Sequence, residues 1–259
     1  MTDYEPLPYR TVELPNPFGG PVLYTPETGS VLEDAADRAA ELEPGTVLFT
    51  GYQHRGRGRG GGRSWESAAD QGLLMVLITS AGEYQWPGGS VSLRTALGLA
   101  RYLESIGLRP QIKWPNDLLV SDRKVSGILG GLSSGWLRIG IGLNCRQRSF
   151  PGEFRSRTTS LVLEGAEDLP PAEHLGKLLP YLQAALEQEQ IRGDVERRLF
   201  RIGEQMLLLE GPAEQPRRLR ITIAGIREDG GLLYRRAGET SAAYAGECVL
   251  IRGESAQKS

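Results

Sequence analysis

Apolar positions recur at helical spacing in three stretches of this chain, with short apolar runs of strand character between and after them. The first helical stretch, Ser30 to Glu41, places Ser30 at the N-cap and Glu33 at the capping-box position. The second, Val91 to Gly107, ends on a glycine suited to a helix C-terminus. The third covers Pro171 to Arg201 and divides into segments around Leu175 to Glu189 and Asp194 to Arg201. Val47 to Phe49, Leu73 to Thr79 and Arg138 to Leu143 read as strands. From about Met206 the pattern becomes MLLLEG, RLRITIAGI, GLLYRRAG and ECVLIRG, short strands parted by turn signals such as EDGG, which predicts a small barrel. Residues 1–20, rich in proline and glycine, predict an extended arm.

Chemistry concentrates at two of the interruptions. Thr50 to Trp65 reads TGYQHRGRGRGGGRSW, with Arg57, Arg59 and Arg63 set among glycines. Glycines let backbone N–H groups approach an anion, and guanidinium forks match phosphate oxygens. An arginine and glycine tail that binds RNA has the same composition. The strands predicted on both sides favour an ordered phosphate-cradling loop.

The second interruption, IKWPNDLLVSDRKVSGILGG, gathers Lys113, Asn116, Asp117, Arg123 and Lys124. Pro115 and Ser121 to Arg123 mark its turns, and a hairpin here puts Lys113 and Lys124 on neighbouring strands.

Composition narrows the setting. At 259 residues the chain can hold a sizeable core and a small appended domain, and a net charge of −2 provides no global attraction to nucleic acid or acidic membrane. Two cysteines, Cys145 and Cys248, are too few for a disulfide framework and read as inert thiols. No apolar run reaches the ~20 residues of a membrane span and no secretory signal opens the chain, so the expectation is a cytoplasmic protein that does not engage membranes. His54 and His174 lack ligand spacing for zinc, and no nucleophile stands beside a base.

In the order GTVLFTGYQHRGRGR, GRSW, KWPNDLLV, RKVSGILGG, IGIGLN and Thr159 to Leu161, the chain resembles the biotin protein ligases. KWPND followed by RKVSGIL is the specific part. The resemblance implies an α+β fold, a mixed β-sheet with helices packed on it, over residues 1–204, and a small SH3-like β-barrel over residues 205–259. It implies ATP and biotin as substrates, magnesium as cofactor, and a biotin carboxyl carrier domain of acetyl-CoA carboxylase or a related carboxylase as partner. A homodimer is compatible with the family. Some members carry a DNA-binding winged helix; only about twenty residues precede the catalytic region here, so no DNA operator binding is expected.

By the same resemblance, Lys124 bridges the biotin carboxylate and the α-phosphate, and Arg57 and Arg59 hold the phosphate of the adenylate. Ser30, Gln53, Gly56, Gly127, Gly140 and Gly142 join Arg57 and Lys124 at the biotin site. Arg63, Trp65, Lys113, Asn116, Asp117 and Asn144 join Arg59 on the nucleotide side, with Asp117 also a magnesium ligand. Other roles fit some of these residues as well: Trp65 as a core anchor, Asp117 as a turn cap, Lys113 as the partner of Asp117, and glycines as packing points. Two departures stand out. Val31 replaces a threonine common in relatives, and the Gly60 to Gly62 run lengthens the join between GRGR and GRSW by one residue. Related ligases that use lipoate, and a non-catalytic sensor of biotin or nucleotide, are the rival readings.

Overall fold

A computed structural model describes residues 8–251 except 40, 60–63, 85, 134, 155, 156, 213 and 214. Arg63 and the Gly60 to Gly62 run therefore lie outside the described residues, as do the first seven residues of the predicted arm.

Eight strands form one mixed sheet: β1 (Arg10–Thr11), β2 (Val22–Thr28), β3 (Val47–Gln53), β4 (Gly72–Ser80), β5 (Pro110–Lys113), β6 (Asp117–Val120), β7 (Arg123–Ser133) and β8 (Trp136–Asn144). Their order is β1-β2-β3-β4-β8-β7-β6-β5, with only β2 and β3 parallel. The parallel pair needs a crossover, and α1 (Val31–Asp37) supplies it. Its Val31 and Ala35 bury against Leu48, Val76 and Ile78 on one face.

The other face carries α2 (Val91–Ser105) and α3 (Pro171–Glu187). Leu93, Leu97, Ala100 and Leu103 of α2 and Leu175, Leu178, Leu179 and Leu182 of α3 are buried in one core with Leu73, Met75, Ile139 and Ile141 of the sheet. Because β4 is covered on both sides it reads as a near-continuous apolar run, whereas β8 alternates Leu137, Ile139, Ile141 and Leu143, in the core, with Arg138, Gly140 and Gly142 on the opposite face. Inside this packing Tyr102 Oη lies 2.5 Å from His174 Nδ1, and burial pushes the imidazole down to about 4.

A second, antiparallel sheet has the order β12-β11-β10-β9-β13, built from β9 (Gln205–Glu210), β10 (Arg217–Ile226), β11 (Leu232–Arg236), β12 (Glu239–Ala243) and β13 (Glu247–Val249). It docks on the first sheet through specific bonds. Trp114 Nε1 donates to the Gly230 carbonyl at 3.0 Å, and the Ile226 N–H donates to Glu196 Oε1 at 3.1 Å. None of the described helices is long and apolar enough to cross a membrane.

Three expectations need correction. Between Lys113 on β5 and Lys124 on β7 stands β6, because Ser121 and Asp122, both at positive φ, form a second turn and make a three-stranded meander. The helix expected at Asp194 to Arg201 is the short α4 (Arg192–Glu196); beyond it the backbone runs along β5, with the Ile112 N–H bonded to the Arg198 carbonyl and the Phe200 N–H to the Ile112 carbonyl. Ser30 occupies the N-cap of α1, but its side chain makes no capping bond and the helix ends at Asp37. Glu33 is drawn instead to the guanidinium groups of Arg55 and Arg57, which bring full opposite charge where a backbone N–H brings only a dipole.

Candidate functional site

Strands β7 and β8 cross the middle of the sheet with Gly127 opposite Gly142 and Gly140 opposite Leu129. Side chains are missing there for a steric reason. A Cβ on Gly142 would stand 2.5 Å from Trp65 Cε2, one on Gly127 2.9 Å from Trp65 Cζ3, and one on Gly140 2.9 Å from a Leu32 methyl. The glycines thus form a recess into which the indole of Trp65 settles. Met75, Ile128 and Ile141 add apolar walls to the cleft.

Of the segment between β3 and β4, the described residues Arg57 to Arg59 and Trp65 border this recess as a flap. Its base is closed by the Trp65 N–H bonded to the Gly56 carbonyl at 2.9 Å and by a bridge between Arg57 and Ser64. Gln53 anchors the entry strand, its Oε1 accepting from the Val31 N–H at 2.9 Å. Gln53 and Trp65 also line a neighbouring cavity, so these two side chains part the two spaces.

Every described cation that the sequence assigned to substrate has a protein partner. Lys124 Nζ lies 2.7 Å from Asp117 Oδ1 and 5.4 Å from the centre of the Trp65 ring. Arg57 pairs with Glu33. Arg59 Nη1 donates to the Gly246 carbonyl at 2.8 Å, and Lys113 Nζ lies 3.4 Å from Glu247 Oε1. Lys113 is thus bonded to Glu247 and not to Asp117, even though Asp117 is its register partner across the β5–β6 turn.

Lys124 is fixed by its backbone as well: its N–H bonds the Arg157 carbonyl at 2.8 Å and its carbonyl accepts from the Thr159 N–H at 2.9 Å. Asn116 locks the β5–β6 turn to β7, its Nδ2 donating to the Ile128 carbonyl at 2.9 Å.

Gln53, Arg57, Arg59, Trp65, Asn116, Lys124, Gly127, Gly140 and Gly142 come together around the cleft. Asp117 reaches it through Lys124. Gly56 faces the neighbouring cavity. Asn144 is buried and committed, with Nδ2 donating to the Thr159 carbonyl and Oδ1 accepting from Gln147. Ser30 Oγ and Trp65 Nε1 are buried with no hydrogen-bond partner among the described residues. Buried polar atoms are rarely left unpaired, so both suit a site that a polar ligand completes.

Sequence reasoning did not assign Leu32, Glu33, Ile128, Gly246 or Glu247 to this site. No local signal marks Gly246 or Glu247, which lie far along the chain beyond the last of the motifs. Both cysteine thiols are buried and pushed up to about 12 by that burial, which suits inert thiols. Among the described residues no group of three His, Cys, Asp or Glu side chains could hold a metal ion. Magnesium that travels with a nucleotide needs only one or two carboxylates, and Asp117 fits that lesser demand.

Residues 19–133 match the biotin/lipoate A/B protein ligase family. The biotin protein ligase of Aquifex aeolicus, solved with biotin and ATP, is 27% identical, covers 90% of this chain with 99% of its own and superposes with a TM-score of 0.76. A point mutant of that enzyme, solved with biotin, gives 30% identity over 90% of this chain and 98% of that one, at a TM-score of 0.75. The biotin–[acetyl-CoA-carboxylase] ligase of Mycobacterium tuberculosis is 29% identical, with 87% of each chain covered. The bifunctional ligase/repressor BirA of Escherichia coli is 30% identical over 65% of this chain, which spans about half the length of that relative (54%). On this likeness, and with the expected motifs assembled around one cleft, the chain belongs to the biotin/lipoate A/B protein ligase family.

Proposed function

We propose that this protein activates biotin with ATP and transfers it to a lysine of a biotin carboxyl carrier domain. The observation that carries the reading is the meeting of Lys124, Arg57 and Arg59 above a glycine-floored apolar recess. An apolar floor suits the hydrocarbon part of biotin, and the unpaired Ser30 Oγ suits a polar ring. Val31, where many relatives carry threonine, still contributes its backbone N–H, which holds Gln53 in place.

In the first half-reaction a biotin carboxylate oxygen attacks the α-phosphorus of ATP and pyrophosphate leaves. The carboxylate and the triphosphate repel each other, and Lys124 offsets that repulsion where they meet. Arg57 and Arg59 hold the phosphate of the biotinyl-AMP that results, and Arg63, Trp65, Lys113 and Asn116 serve the nucleotide. Asn144 acts in this reading by holding the Thr159 segment beside Lys124. Magnesium bound with Asp117 would neutralise phosphate charge.

In the second half-reaction the carrier lysine amine attacks the mixed anhydride carbonyl and AMP leaves. The anhydride is prone to hydrolysis, so a flap that closes over it has a clear use. Residues 1–204 form the catalytic domain in this reading, and residues 205–259 an SH3-like unit whose strands start at Gln205.

The test is mass spectrometry of a purified carrier domain incubated with the protein, magnesium, ATP and biotin, beside a lipoate arm and a Lys124→Ala arm. A biotin-sized mass gain that needs ATP and Lys124 is expected. A gain with lipoate alone would move the substrate, and no gain with either would leave a binding protein.

A further inference from the structure

Two of the cations that the proposed function gives to the nucleotide come from different elements and end on the same C-terminal turn. Arg59 leaves the flap and bonds the Gly246 carbonyl; Lys113 leaves the end of β5 and pairs with Glu247, the next residue. The turn is held firmly in place. Gly246 sits at φ +126, where a Cβ would meet the Leu209 carbonyl at 2.5 Å, and Glu247 opens β13 in register with Leu209. Behind it the second sheet is pinned by the bonds of Trp114 to Gly230 and of Ile226 to Glu196.

A carbonyl oxygen and a carboxylate are the groups that a phosphate replaces when it takes up a guanidinium and an ammonium. We propose, resting on the ligase reading, that the Gly246–Glu247 turn is a built-in competitor of the ATP phosphates. It holds Arg59 and Lys113 in the unliganded protein and yields them as the triphosphate binds. Glu247 is then a residue that sets nucleotide affinity without touching biotin. The Lys113 and Glu247 side chains are 19% and 28% exposed, so their pairing is partly shielded from water and loses less to screening than a surface pair.

The experiment is calorimetric titration of the full chain with a non-hydrolysable ATP analogue and magnesium, and separately with biotin. Glu247→Gln is compared with the parent, with the exposed Glu239→Gln as control and with Lys113→Gln alone and combined with Glu247→Gln. Glu247→Gln is expected to tighten nucleotide binding roughly three- to fivefold, the size of a partly shielded ion pair. Biotin affinity stays unchanged, and the gain disappears in the Lys113→Gln background. Unchanged or weaker nucleotide binding in Glu247→Gln, with biotin still bound, overturns the competitor and leaves the ligase reading standing. A parent that binds neither molecule overturns both.

Hydrogen exchange on the parent protein needs no variant. Saturating nucleotide should speed exchange around residues 245–248 while slowing it in the flap. Slower exchange in both segments would show the turn clamping the nucleotide instead of yielding to it, and would overturn the proposal.

Discussion

The floor of the cleft and its rim are built on opposite principles. The floor is β7 and β8, continuous ladder with glycines where neighbouring side chains need the space, and its geometry tolerates little change. The rim is the flap with Lys113 and Lys124, whose charges are held by Glu33, Asp117, Glu247 and a carbonyl. Ion pairs at partly exposed positions contribute little to stability and are readily exchanged for a ligand's charges. Shape therefore resides in the floor, and exchangeable charge in the rim.

Removing the rim's central charge tests this division most severely. Lys124→Ala should lower pyrophosphate release from ATP and biotin by about 10²–10³-fold or more, the scale of losing one preorganised electrostatic contact. Melting should change little, because Lys124 is held in the sheet through its backbone. A large loss of melting temperature would show that the rim is structural after all.

Next in size is a change behind the floor. His174 titrates well below its ordinary value because it is buried, so the unfolded chain takes up a proton below about pH 6.5 that the folded one refuses until about 4. Stability should thus fall by about 2–3 kcal/mol as pH drops through that window. Denaturant melts across the window in the parent and in His174→Phe measure it, and the variant's slope should be shallower. Equal slopes would place the acid sensitivity elsewhere, with the rim carboxylates the first suspects.

Gly142→Ala tests the floor directly. Its methyl would press on the Trp65 ring, and the overpacking should cost about 1–3 kcal/mol. Combined with Trp65→Ala the cost should be less than additive, since the clash has one source. Strict additivity would mean that the indole does not rest on the glycine.

The smallest expected effect belongs to Glu33→Gln. Loss of the Arg57 pair should change stability by less than about 1 kcal/mol, while trypsin cleavage after Arg57 in the unliganded protein rises a few-fold. Stability loss well beyond that would make the pair part of the core rather than an exchangeable rim contact.

Much of the fold is legible in the order of residues. The long helices α2 and α3 carry their apolar stripe at helical spacing, and the glycine and arginine flap between two strands announces its chemistry by composition. The short segments are harder to read. The Asp194 to Arg201 stretch has helical composition but yields to pairing with β5, because backbone bonds to a sheet edge outweigh weak local propensity. Glu33 sits at a capping position by spacing, yet the guanidinium groups that claim it are more than twenty residues away in the chain and leave no mark on its own neighbourhood.

Local pattern suffices for the types of element, for the groups able to hold an anion and for the resemblance to the family. Each of those follows from periodicity or from residues adjacent in the chain. Which side chains meet is fixed only in three dimensions: Trp65 on Gly142, Lys124 on Asp117, and Arg59 and Lys113 on one distant turn. The physical reason is that a contact depends on where the sheet's register and the docking of the second sheet bring side chains. Both are set by packing summed over the whole chain, which no local pattern encodes.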